Sequence, residues 1–248
     1  MNFSAISNQS LAGKLLRLPL SLLPRNIKIP ILQGKLKGKS WIVGSSVHGC
    51  WLGSYEYEQR ILFERVIKQG SIVYDIGAHV GFYTLLASVL VGPTGKVLGF
   101  EPNPRNLSYL KAHLEINNIG NVLIFEKAVS NKTGTSHFEA GGGHSSMGHL
   151  AESGELQVET VALDELVASN GIPLPNYIKI DVEGAEFDAL SGARKLLSCT
   201  RPVIFLSIHG IEAYMNCRRL LEDLGYLLRP IHGESEYPPS ELLCLPKS

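Results

Sequence analysis

Asp75, Gly77, His79 and Gly81 stand together in SIVYDIGAHVGFYT, residues 71–84, and their types suit the handling of a nucleotide-like ligand. The β-branched apolar run Ile72–Tyr74 leads into them, as expected of a strand buried on both faces. Beyond them Leu85, Leu86, Val89 and Leu90 repeat with helical spacing, which predicts a helix from Phe82. Gly77 supplies backbone angles that other residues resist, and Gly81 lets the helix start close against the strand.

The glycines are spaced G-x-x-x-G, not the G-x-G-x-x-G that cradles a pyrophosphate. The Asp75 carboxylate and the His79 imidazole both oppose a pyrophosphate. They suit a cofactor with a cationic end, such as the amino acid part and sulfonium of S-adenosylmethionine (SAM). Residues 96–100, KVLGF, read as a second strand with Glu101 at its end. That is about twenty residues past Gly81, where a carboxylate can accept from two adjacent ribose hydroxyls. Pro102, Asn103 and Pro104 then start a helix, Asn103 as its N-cap and Pro104 at its first position. A bare α/β turn and a solvated Glu would explain either signal separately, but their coincidence favours cofactor binding.

A second group gathers near YIKID, residues 177–181, a predicted strand that sets Asp181, Glu183 and Glu186 at a strand end and helix start. In a doubly wound sheet this edge lies beside the first strand, at the crevice where ligands bind. Carboxylates there can accept a hydroxyl proton or hold a hard divalent cation such as magnesium. Acids in a first turn also offset the helix dipole, a role assigned more to Glu186 than to Asp181. Residues 203–208 predict a fifth strand ending at His209, whose imidazole would face the same crevice as a proton shuttle.

The elements that must position these groups follow from the rest of the chain. Its 248 residues fit one α/β domain with additions, and 23 basic against 23 acidic residues give no general nucleic-acid surface. Cys50, Cys199, Cys217 and Cys244 form no C-x-x-C pair and read as thiols of a reducing, cytoplasmic setting. Residues 55–68 predict a helix stopped by Gly70, 122–125 a third strand, and 211–224 a closing helix. Residues 226–228 and 242–245 would pair as a last hairpin. Residues 135–138 and 157–161 read as an inserted antiparallel pair around the glycine loop 141–148, with His144 and His149 as loop histidines. The apolar stretch 11–23 is broken by Gly13 and Pro19, too short to span a membrane, though weak contact with a membrane surface fits it. Lys35, Lys37 and Lys39 read as a solvated hairpin turn. Trp41, His48 and Trp51 either line a substrate mouth or pack an N-terminal arm down.

The stretches VYDIGAHVGFYT, FEPNP, IKIDVEGAEFDAL and a strand ending in IHG resemble the FkbM family of SAM-dependent methyltransferases over roughly residues 50–210. The resemblance implies the class I methyltransferase fold and O-methylation of sugar or polyketide hydroxyls. It implies SAM contacts at Asp75, Gly77, His79 and Gly81, the ribose on Glu101, and further cofactor contacts at Tyr83, Thr84, Pro102, Asn103, Lys127, Ala128 and Asp181. His79 replaces a frequent asparagine of the family, and Ser207 a frequent glutamate, which leaves Asp181, Glu183 and His209 as the catalytic set.

The expectation is therefore a doubly wound α/β domain over 55–248 with a mostly parallel, seven-stranded, Rossmann-like sheet. Residues 1–54 form an extension capping the substrate. Its partners would be SAM and a small-molecule or glycan acceptor, with no nucleic acid. Two other readings use the same elements: an NAD-dependent oxidoreductase, and a non-catalytic module that keeps the fold for interaction.

Overall fold

Lys96–Phe100 and Val122–Phe125 form strands over the residues their apolar runs predict, and the helix after the glycine turn starts at Phe82. The computed structural model describes residue 20 and residues 23–139, 149–151, 156–232 and 237–247. Strand β3 (Ile72–Ile76) is followed by helix α3 (Phe82–Val91), β4 (Lys96–Phe100), α4 (Pro104–Ile116) and β5 (Val122–Phe125). The second half supplies β10 (Tyr177–Ile180), β11 (Val203–Ser207), α8 (Ile211–Asp223), β12 (Tyr226–Pro230) and β13 (Glu241–Pro246). These strands build one sheet in the order β12-β13-β11-β10-β3-β4-β5. Pairing is parallel from β11 to β5, and β13 joins antiparallel to β11 and β12. The sheet is thus mixed, with seven strands. Its order reverses between β3 and β10, and the crevice lies beyond the carboxyl ends of these strands.

Apolar side chains, aliphatic and aromatic, fill both faces of the sheet. Tyr74, Ile76, Leu98, Ile178, Ile180 and Leu206 pack on one side, and Val73, Val97, Phe205, Leu85 and Leu86 on the other. Between β5 and β10 lies a separate small sheet of β6 (Ala128–Val129), β7 (Gly134–Glu139), β8 (His149–Ala151) and β9 (Leu156–Val161). The expected β7–β9 pair is present, with β8 and β6 on its flanks. His144 and the glycine loop 141–148 lie outside the described residues, as do residues 11–19.

The arm before the sheet folds onto α4. Strands β1 (Lys28–Pro30) and β2 (Ser40–Ile42) form a hairpin whose turn carries Lys35, Lys37 and Lys39. Trp41 is fully buried and stacks on His113 with ring centroids 3.8 Å apart. His113 Nε2 accepts from the Ile42 amide at 3.1 Å, so its Nδ1 carries the hydrogen and donates to the Val80 carbonyl at 2.8 Å. Burial pushes this imidazole down to about 4, and it stays neutral. Trp51 is buried too, its Nε1 donating to His48 Nδ1 at 3.1 Å. Of the two roles open to the tryptophans, packing the arm down is the one these contacts describe. The predicted helix 55–68 is shorter, α2 (Tyr57–Val66), and ends before Gly70 because Ile67 turns extended. All four cysteines are free, and only Cys199 is exposed. Among the described residues no helix is long and apolar enough to cross a membrane.

Candidate active site

Gly77 is where the two halves of the crevice meet. It has φ +81°, and a Cβ built on it would fall inside the Asp181 carbonyl oxygen. The Gly77 and Ala78 amides both donate to the Phe100 carbonyl, at 3.0 and 2.9 Å, which locks the turn to the end of β4. Gly81, at φ +90°, opens α3 against Leu110. Asp75 is buried, and its Oδ2 accepts from Thr84 Oγ1 at 2.6 Å while its Oδ1 has no hydrogen-bond partner. Burial raises this carboxyl, with Lys179 and Thr84 pulling the other way.

Glu101 closes the far side of the turn. It accepts from the amides of His79 at 2.8 Å and Asn103 at 2.9 Å, and from Asn106 Nδ2 at 3.3 Å. Burial nevertheless pushes it up to about 7. Three of roughly four acceptor positions of a carboxylate are thereby used, so it has room for about one further strong donor. Asn103 caps α4 by accepting from the Arg105 amide at 2.9 Å, with Pro104 next in line. A cleft with about 710 Å³ of empty space runs from here, lined by Phe100, Glu101, Pro102, Asn106, Ala128, Val129 and Phe138 at one end. At the other end its walls are Tyr55, Gly77, His79, Asp181, Val182, Glu183 and Ala185.

Asp181 follows β10 directly. Alternation along the strand puts it on the same side as Lys179, whose Nζ donates to Asp181 Oδ2 at 2.9 Å and lies 4.5 Å from the Tyr83 ring centre. Burial works against the Asp181 charge, but the Lys179 ammonium outweighs it and holds the carboxyl below its ordinary range. His209, just past β11, reaches three acids. Its Nδ1 donates to Glu186 Oε1 at 2.7 Å, and its Nε2 lies 3.3 Å from Glu183 Oε2 and 4.0 Å from Asp181 Oδ1. The Glu186 hydrogen bond raises the imidazole to about 9, against the opposing effect of burial. Glu186 is fully buried at the start of α6 (Glu186–Ser191), its Oε1 also taking the Gly184 amide. Asp181, Glu183 and His209 offer ligand atoms within 4.8 Å of one another, a donor set that a divalent cation can also use.

Of the sequence-derived residues, Gly77, His79, Glu101, Pro102, Ala128, Asp181 and Glu183 line the cleft, and the others do not. Thr84 is fully buried, its hydroxyl committed to Asp75; Asn103 is spent on capping; Lys127 pairs with Glu159 at 2.7 Å. Asp75 and Tyr83 line a smaller adjoining chamber; Gly81 and His209 line neither, His209 standing beside Asp181 and Glu183. Lys179 escaped the sequence reading, although a lysine amid the apolar residues of a doubly covered strand is itself a signal. Tyr55, Asn106 and Phe138 carried no readable signal, because they arrive from elements distant in sequence.

The sheet order, the glycine turn against β10 and the acid at the end of β4 define the fold of class I SAM-dependent methyltransferases. Among solved structures it is similar to the FkbM methyltransferase of Methylobacillus flagellatus, with TM-score 0.53 and 20% identity over 70% of this chain and 43% of that one. It is also similar to the precorrin-6y C5,15-methyltransferase of Geobacter metallireducens, with TM-score 0.50 and 17% identity over 80% of this chain and 91% of that one. The methyltransferase FkbM domain matches residues 75–228, and the chain belongs to that family. Similar curated proteins include the hexuronic acid methyltransferase AglP of Haloferax volcanii, 30% identical over 61% of each chain. Another is the 2-O-methyltransferase NoeI of Sinorhizobium fredii, 26% identical over 54% of this chain and 62% of that one. The chain spans about three fifths of the length of these relatives.

Proposed function

We propose that this chain is a SAM-dependent O-methyltransferase acting on a hydroxyl of a sugar or glycan. The observation that carries the reading is the contact of Gly77 with Asp181, which sets the cofactor turn against the acid and histidine cluster. The cleft fits the cofactor on three counts. The buried Asp75 Oδ1 lacks a donor, Glu101 keeps room for a ribose hydroxyl, and Phe100, Pro102, Ala128 and Val129 offer an apolar bed for adenine. The hexuronic acid methyltransferase relative supports a sugar as acceptor, and the 2-O-methyltransferase relative supports a hydroxyl oxygen as the methylated atom.

SAM supplies a methyl group on a sulfonium, which passes in line to the acceptor oxygen. The protein aligns the acceptor and removes its proton. His209 is the base, receiving the hydroxyl proton at Nε2, and Glu186 holds the ring by Nδ1 and stabilises the imidazolium that results. Asp181, fixed by Lys179, orients the acceptor hydroxyl with Glu183. The test is His209→Gln, with turnover on a panel of sugar acceptors and S-adenosylhomocysteine binding measured side by side. Turnover should fall by about 10²–10⁴-fold with binding unchanged. Unchanged turnover removes His209 from the role, and binding of NADH in preference to SAM overturns the whole reading.

A second reading has a divalent cation on Asp181, Glu183 and His209 holding the acceptor oxygen, favoured by their clustering. Chelation with EDTA then abolishes turnover, whereas the base reading leaves it intact.

A further inference from the structure

Sharing Tyr55, Gly77, His79 and Asp181 with the cleft is a smaller adjoining chamber. It is lined by Asp75, Tyr83 and Lys179, by Ser46 and Cys50 of the arm, and by Tyr55 just after the arm. Glu56 follows the chamber-lining Tyr55 in the chain. It is the N-cap of α2, and its backbone has φ 41°, a left-handed conformation that costs a non-glycine residue of order 1–3 kcal/mol. Its Oε2 is buried and has no hydrogen-bond partner. The groups that act on its charge are Lys179 and Asp181 of the chamber wall, the Tyr55 and Tyr83 hydroxyls on its hydrogen-bonding side, and Glu241 on β13. Burial, opposed by Lys179, pushes this carboxyl up to about 7.

Charge and hydrogen bonding both leave the chamber incomplete. Asp75, Asp181 and Glu56 face a single ammonium, that of Lys179, which already donates to Asp181. Two buried carboxylate oxygens, Asp75 Oδ1 and Glu56 Oε2, remain without donors. Each unmade bond to a buried charged group is costly, so a site with two of them is built to receive donors from a ligand. A ligand ammonium has three hydrogens and the matching charge. Resting on the cofactor reading above, the ribose at Glu101 and the sulfur near Gly77 leave this chamber for the amino acid end.

We propose that Glu56, outside the span matched by the family, is a cofactor-binding residue that receives the α-ammonium of SAM together with Asp75, so that the start of α2 completes the cofactor site.

The test compares two ligands by calorimetry on the full chain. These are S-adenosylhomocysteine and 5′-methylthioadenosine, which keeps the nucleoside and sulfur but lacks the amino acid. Glu56→Gln should weaken S-adenosylhomocysteine at least tenfold and leave methylthioadenosine within twofold. Glu56→Asn, whose residue type tolerates the left-handed backbone, should do the same and guards against misfolding of the first variant. In the wild type, S-adenosylhomocysteine lacking its amino group should lose the same tenfold, and that loss should vanish in Glu56→Gln. Unchanged S-adenosylhomocysteine binding in the variants, or an equal fall for both ligands, overturns the role of Glu56. A wild type that binds neither ligand overturns the cofactor reading itself.

Discussion

Lys179 and Asp181, two residues apart at the end of β10, are joined at 2.9 Å, with the lysine side chain almost wholly buried. The ammonium also neighbours Asp75 and Glu56, and His209 Nε2 stands 4.0 Å from Asp181 on the other side.

Lys179→Met should therefore destabilise the fold by about 3–5 kcal/mol near neutral pH, the usual effect of stranding one member of a buried pair. Asp181 is depressed in the folded state, so the stability it contributes is present above about 3.9 and lost as the pH falls through its folded value. Urea unfolding of both proteins should show the gap between them narrowing below about pH 4. A gap independent of pH would mean the lysine matters through packing on Tyr83.

His209 sets a pH dependence of the opposite sense. Its folded value of about 9 lies above the ordinary 6.5, so its contribution to stability is complete below about 6.5 and lost as the pH rises through about 9. As a base it works only when neutral, and kcat/KM should climb with pH to a plateau above about 9. Glu186→Gln removes the hydrogen bond that raises it, and the inflection should move down by at least one pH unit. A profile identical in the two proteins would show that Glu186 does not tune the base.

Gly77→Ala should cost about 1–3 kcal/mol from its left-handed backbone alone. The added methyl also pushes Asp181 away, so S-adenosylhomocysteine binding should fall more than the stability loss accounts for. Calorimetry at a temperature where the variant is fully folded separates the two effects.

The arm is tested by Trp41→Ala. Loss of this buried ring from between His113 and Phe82 should destabilise the whole protein by about 3–5 kcal/mol in a single unfolding transition. A separate early transition would mean that the arm melts by itself.

The legible part of this protein is local. Strands such as Lys96–Phe100 announce themselves by continuous apolar runs, and Asn103-Pro104 by capping chemistry, because both signals lie within a few residues. Asp75, Glu101, Asp181 and His209 were legible as strand-end groups, a position that sequence order alone supplies. Their partners were not. The anchoring of His209 on Glu186 spans 23 residues, and that of Trp41 on His113 joins the arm to α4 across the glycine turn. Ser207 illustrates the limit: its strand neighbour across β13 is Glu241, a pairing fixed by register and invisible to any pattern along the chain.

The approach of Gly77 to the Asp181 carbonyl also makes the two ends of the crevice one mechanical unit. With no side chain between them to absorb a displacement, a ligand that shifts the glycine turn shifts the acid loop, and the reverse holds. Thermodynamic reciprocity then requires that each ligand alter the other's affinity by the same factor. An occupied cofactor turn and a vacant one present different surfaces to the acceptor, so the residue that carries no side chain at all would govern the order in which two substrates come and go.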